Sequence, residues 1–312
     1  MRAPNPVRLA HIHLPGIVRF NTASKIQETL VRRLLDYKSE HAKYQKLQST
    51  SSSSSSSSNE PPIPIPPDPT ILTFTPDPIY TTGRRDLPPS TSPNPPLPSI
   101  LTPILPLLNA TPPLASWTPT LRGGQTTYHG PGQLVAYTIL DLQRLGLGPR
   151  EHIRLLEESV IDVLGAYGVQ GQRTGDPGVW VPRTPSSSAA PSSSEGNDGE
   201  EQPRKICAVG VHLRRYVSSF GIGLNVSSEP MFFFRQIVAC GLEGREATSL
   251  EGEGVPGLSV EEVAEGFVRA FVRRYNEGYA PEGIGLTSFS QRMDQECANG
   301  IEAQGHKIGL TD

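Results

Sequence analysis

Apolar residues recur along this chain in two rhythms, one of helices and one of strands, with long intervals that have neither. Ile26, Leu30 and Leu34 fall at helical spacing behind Ser24, whose hydroxyl can cap while Gln27 reaches back, so the first helix is expected to open at Ser24. Pro149 stands where a proline opens a helix, and Ile153, Leu156, Val160, Val163 or Leu164, and Tyr167 form the buried stripe behind it. Ser259 and Glu262 make another capping box ahead of Val263, Phe267 and Phe271. Strand patterning marks Ile71 to Phe74, Pro78 to Gly83 and the run Leu134 to Leu140, which is apolar on both faces. It continues through Asp176 to Val181, where Trp180 reads as packing. Lys205 to Leu213 follows, with Val217 to Val226 as its hairpin partner across Arg214-Arg215-Tyr216.

The intervals without rhythm are low in complexity. Ser51 to Ser58 is unbroken serine, followed by Pro61, Pro62, Pro64, Pro66 and Pro67, and reads as a solvated linker. Asp86 to Pro119 is rich in proline and too broken for regular structure, and Arg183 to Pro203 combines serine with acids at a hairpin tip. Inserts are therefore expected at about 49–70, 86–119 and 183–203. With 32 prolines and 30 glycines, the 312 residues hold one domain of ordinary size. That domain is expected over 12–290, with a short targeting segment at 1–11 and a polar tail at 291–312.

Composition narrows the partners. The 28 basic and 31 acidic residues nearly balance, and no basic run is interleaved with aromatics, which argues against nucleic acid. Prolines interrupt the longest apolar candidate, Ile100 to Leu108, so no membrane span is expected. Cys207, Cys240 and Cys297 are too few and too scattered for a disulfide framework or a zinc site, which implies a reducing compartment and no metal. Arg2, Arg8, Arg19 and Lys25 precede the first acid, Glu28, a bias that suits a mitochondrial presequence.

The candidate chemistry concentrates in Arg122-Gly123-Gly124-Gln125-Thr126-Thr127-Tyr128-His129-Gly130-Pro131-Gly132-Gln133. Four glycines and one proline in twelve residues give two tight bends, and the polar side chains between them are expected to face a ligand.

These twelve residues resemble the signature of the lipoyl(octanoyl) transferases, which move an octanoyl group from acyl carrier protein to lipoyl domains. Pro78 to Gly83, Lys205 to Gly210, Asn225, Cys240-Gly241 and Thr248-Ser249-Leu250 resemble further elements of that family. The resemblance implies an α+β fold, a biotin/lipoate protein ligase-like catalytic domain with a mixed sheet flanked by helices. It implies a mitochondrial enzyme without cofactor, with octanoyl-acyl carrier protein as donor and lipoyl domains of 2-oxoacid dehydrogenases and H protein as acceptors. Carried over position by position, it makes Cys240 the nucleophile and Lys205 the proton carrier. Arg122, Gly123, Gly124, Gln125, Thr126, Thr127, Tyr128, His129, Ala208, Val209, Gly210, Gly221, Ile222 and Gly223 become substrate-binding residues. Three departures stand out: Thr75-Pro76 replaces a Glu-His pair, Phe220 a histidine, and Ala239 a proline.

Chemistry agrees with that assignment. A cysteine thiolate exchanges one thioester for another with little change in bond energy, and a desolvated lysine can carry the proton. Backbone N–H groups at Gly210 and at the Gly123-Gly124 bend are expected to hold the oxyanion. Ile222 and Leu224 are expected to line an acyl tunnel, with Tyr128 and His129 at its mouth. An ATP-dependent lipoate or biotin protein ligase shares the fold but needs no thiol. A catalytically silent lipoyl-handling scaffold needs neither Cys240 nor Lys205.

Overall fold

The computed structural model describes residues 7–51, 62–87, 97–183, 202–237, 246–281 and 285–292. In chain order the elements are β1 (Val7–Val18), α1 (Phe20–Ser51), β2 (Thr70–Pro76) and β3 (Ile79–Thr82), then a 3-10 turn (Ser99–Ile104) that runs into α2 (Leu105–Leu108). β4 (Ser116–Pro119), β5 (Thr127–His129), β6 (Gln133–Ile139), α3 (Pro149–Ala166) and β7 (Val179–Val181) come next. β8 (Arg204–Arg214), β9 (Val217–Asn225), α4 (Pro230–Phe234), α5 (Val260–Gly278) and β10 (Leu286–Arg292) complete the series.

Seven strands make a mixed sheet in the order β10-β1-β2-β6-β9-β8-β7. The first three are parallel, and every later pair is antiparallel. All seven residues of β6 are buried, as its unbroken apolar run requires of a central strand covered on both faces. α3 and α5 cover one face through Leu155, Val160, Val163, Phe267 and Phe271, while α1 covers the other through Ala23, Ile26, Leu30 and Leu34. Ser259 and Glu262 cap α5 reciprocally, at 3.1 and 3.0 Å, so that helix starts where the sequence placed it. No helix among the described residues is long and apolar enough to cross a membrane.

Three boundaries differ from expectation. α1 starts at Phe20, a turn before Ser24, because the Asp77 carboxylate accepts the Phe20 amide at 2.9 Å and Phe20 and Ala23 extend the buried stripe. Gln27 makes no capping box with Ser24; it is buried and accepts the Phe220 amide instead, at 2.6 Å. At the two ends of the domain, β1 begins at Val7, so residues 7–11 belong to the sheet, and β10, paired beside it, runs two residues past the expected domain end at 290.

The second insert also carries structure. β4, β3 and β5 form a small sheet in that order, and the 3-10 turn and α2 pack on it. Leu101 and Ile104 are fully buried there with Tyr80, Ala115 and Tyr128. Burial of each such side chain contributes about 2 kcal/mol, so residues 97–115 are a lid on the small sheet and not a spacer. Most of the serine run, and residues 184–201 of the third insert, lie outside the described residues.

Candidate active site

A cavity of about 450 Å³ opens between the small sheet and the β8–β9 end of the main one. β3 and the glycine-rich loop supply Thr81, Arg122, Gly123, Gly124 and Gln125; β5 supplies Thr127 and His129. Lys205, Ala208, Val209, Gly210 and Val211 line it from β8, and Phe220, Gly221, Ile222 and Gly223 from β9.

The loop is held in place by its own arginine. Arg122, buried, donates to the Thr81 carbonyl at 2.8 Å, to the Thr81 hydroxyl at 2.9 Å and to the Gly123 carbonyl at 3.1 Å. Gly124 takes φ +83°, and a Cβ on neighbouring Gly83 would run into the Gly124 carbonyl, so side chains are excluded on both sides of the crossing. The Gly123 amide donates to the Val211 carbonyl at 2.9 Å. That N–H is therefore spent on tying the loop to β8, a correction to its expected role in an oxyanion hole.

Lys205 lines the same cavity from β8. Its ammonium donates to the Pro177 carbonyl at 3.1 Å and lies 4.5 Å from the centre of the Trp180 ring. Among the described residues no carboxylate forms an ion pair with it. Its own backbone is bracketed by the segment after Cys240: the Lys205 amide bonds Glu246, and the Thr248 amide bonds Lys205.

His129 is the inner polar residue. Burial, helped by the Arg122 charge, lowers its pKa to about 4, so the ring is neutral at physiological pH. Its Nδ1 lies 2.6 Å from Gln133 Oε1, Gln133 Nε2 donates to Asn225 Oδ1 at 2.7 Å, and Asn225 Nδ2 donates to the Thr248 carbonyl at 2.8 Å. Gly223 makes room for this ring: a Cβ there would come within 3.1 to 3.2 Å of it.

Residues 116–272 match the family model for the lipoyl protein ligase A/B catalytic domain, half of the chain. The chain belongs to the lipoyl protein ligase A/B catalytic-domain family. Within it, the sequence is 37% identical over 191 residues to the Schizosaccharomyces pombe "Probable octanoyltransferase", covering 61% of this chain and 70% of that protein. It is 43% identical over 159 residues to the octanoyltransferase of Solibacter usitatus, covering 51% of this chain and 62% of the bacterial protein, less than two thirds of its length. The protein is thus an acyltransferase of the octanoyltransferase type. A lipoate-protein ligase A solved with bound ATP superposes with a TM-score of 0.51 over 96% of this chain and 95% of that one. Plasmodium falciparum LipL1, solved with lipoate, superposes with 0.51 over 95% and 68%. At 12% and 11% identity these two speak for the fold alone.

Within this A/B-family domain, three residues of the sequence-based site face elsewhere. The two-residue period of β5 sends Thr127 and His129 to the cavity and Tyr128 away from it. Tyr128 stacks on Phe233 at 4.3 Å in the core of the small sheet, so it does not close the mouth. Thr126 is bonded through its amide and hydroxyl to Asp86, at 2.6 and 2.7 Å. Leu224, expected on the tunnel, lies in the main core opposite Leu134 and Cys207. Cys207 itself is fully buried, and burial raises its pKa far from the thiolate range. Cys240, Cys297, Ala239 and Gly241 lie outside the described residues.

The sequence reading missed Asp176, Pro177, Thr81, Arg85 and Tyr137 on the cavity wall, and the Gln133–Asn225 pair behind His129. Only that pair had a signal: both are polar residues at the ends of apolar strands, where a buried amide must find partners. Pro177 contributes a backbone carbonyl, which no side-chain pattern announces.

Proposed function

We propose that this enzyme transfers the octanoyl group of octanoyl-acyl carrier protein to a lysine of lipoyl domains, through a thioester on Cys240, as the first step of endogenous lipoate attachment in mitochondria. The observation that carries the reading is Lys205: an amine that forms no ion pair with a carboxylate among the described residues, in the wall of a cavity that the glycine-rich loop also lines. In the first half-reaction Cys240 loses its proton to Lys205 in its neutral amine form and attacks the donor carbonyl; the donor's C–S bond breaks, and the carrier sulfur leaves with the proton that Lys205 has taken up. In the second, the incoming amine attacks the acyl-enzyme, its surplus proton passes to Lys205, and Cys240 is released.

Lipoate ligases share the fold, so ATP separates the readings. Purified protein given octanoyl-acyl carrier protein and apo lipoyl domain is expected to form octanoyl-lysine equally with and without ATP. With the donor alone, the acyl label is expected on Cys240, and Cys240→Ser is expected to abolish turnover. Strict ATP dependence, or a label on Cys207, would sink the proposal.

A further inference from the structure

The hydrogen-bond chain behind His129 has only one possible direction. The Thr248 carbonyl can only accept, so Asn225 must present its amide nitrogen there and its oxygen to Gln133. Gln133 must then present nitrogen to Asn225, an orientation repeated by its weaker bond to the Tyr128 carbonyl at 3.5 Å, and oxygen to His129. Oxygen of an amide cannot donate. His129 Nδ1 is therefore the protonated nitrogen, and in the neutral ring Nε2 carries a bare lone pair. The whole ring is nine-tenths buried, yet Nε2 keeps some exposure, and among the described residues no hydrogen bond engages it. It opens into the cavity that His129 lines.

We propose that His129 is a positioning residue for the acceptor, its Nε2 lone pair holding one N–H of the incoming primary amine as it approaches the acyl-enzyme. This rests on the amine-acceptor reading above. The reactants decide between partners: a thioester offers no donor at its reacting centre, and a developing oxyanion is repelled by a lone pair. Only the amine brings N–H. Its nitrogen attacks the thioester carbon, the C–N bond forms and the C–S bond breaks. The sulfur leaves with the electron pair, and the second N–H proton goes to Lys205. His129 takes no proton, because a ring that titrates near pH 4 holds none at neutrality. The relay matters because an unconstrained imidazole would present N–H at this position for part of the time and turn the amine away.

Long-range ¹⁵N–¹H NMR on the full-length protein, without substrates, tests the first link. The expected signal for His129 is a neutral Nδ1–H ring; an Nε2–H ring or an imidazolium at pH 7.5 overturns the proposal. Single-turnover measurements test the second. In Gln133→Met, which removes the fixed acceptor, transfer from octanoyl-enzyme to apo lipoyl domain is expected to fall about tenfold relative to octanoylation of the enzyme. The ring in that variant is expected to shift toward Nε2–H. His129→Ala, read by the same ratio, covers the case in which Gln133→Met does not fold. An unchanged ratio in the folded variants overturns the positioning role. A wild-type protein with the Nδ1–H ring but no octanoyl transfer would instead overturn the reading of the reaction, and the amine's role with it.

Discussion

The Lys205 ammonium lies 4.5 Å above the ring of Trp180, a side chain that is itself fully buried. The indole face thus aims the amine along the cavity wall without neutralising it, as a carboxylate would. Trp180 read from sequence as packing; it is packing that also orients a charge. On the proposed mechanism Lys205→Ala slows both half-reactions, by about 100-fold or more, as expected for loss of a proton carrier. Lys205→Arg gives no rescue, since guanidinium does not release a proton near neutrality. Trp180→Phe, which keeps an aromatic face, retains more activity than Trp180→Leu in steady-state assays.

Leu101 and Ile104 bury completely in a segment whose prolines suggest a spacer. Leu101→Ala is expected to lower unfolding free energy by about 2 to 4 kcal/mol in urea titrations. Replacing residues 97–112 with a glycine-serine bridge is expected to destabilise the small sheet. Unchanged stability in both would show that this lid does not pack as described.

Phe220 lines the cavity at φ +61°, a backbone region costly for a bulky residue, with its amide held by Gln27 and its ring edge-on to Tyr137 at 5.4 Å. On the proposed function, an aromatic wall fixed in this way would limit how far the acyl chain extends. Phe220→Gly relieves the backbone and opens the wall, so decanoyl and dodecanoyl donors are expected to gain on octanoyl in competition assays. An unaltered chain-length profile would place the acyl chain elsewhere.

Burial lowers the pKa of His11, His129 and His152 to about 4 each. A histidine with a depressed folded pKa is neutral in the native state and protonates first in the unfolded chain. Its contribution is complete above the unfolded value of 6.5 and is lost as pH falls toward 4. For His129 and His152 this amounts to up to ~3 kcal/mol apiece. Urea midpoints should therefore drop between pH 7.5 and 5, and His152→Leu should flatten that slope.

What the sequence made legible was whatever declares itself by period or by a dense local motif. Ser259 and Glu262 marked the start of α5, Pro149 that of α3, and the run Leu134 to Leu140 gave the central strand within a residue. The loop from Arg122 pointed to the cavity because so many functional groups crowd between its glycines. Hidden from it were features set by distant partners. Asp77, 57 residues on, decides where α1 begins; β10 is a strand only because β1 offers it an edge. Tyr128 and Thr126 belong to the same motif as His129, but the pleat of a three-residue strand and the carboxylate of Asp86 turn them elsewhere.

The parallel pairing of β1 with β10 sets the timing of assembly during synthesis. β1 precedes every other described element in the chain, and it can pair with β2 once residues 70–76 are made. Its other edge gains its neighbour only when residues 286–292 emerge, after every other described element of the fold. Until then the nascent domain carries an open strand edge, a template for wrong partners. Closure of the sheet is thus a late event with high sequence separation, and holdase chaperones that cover strand edges are the factors expected to raise the yield of this protein.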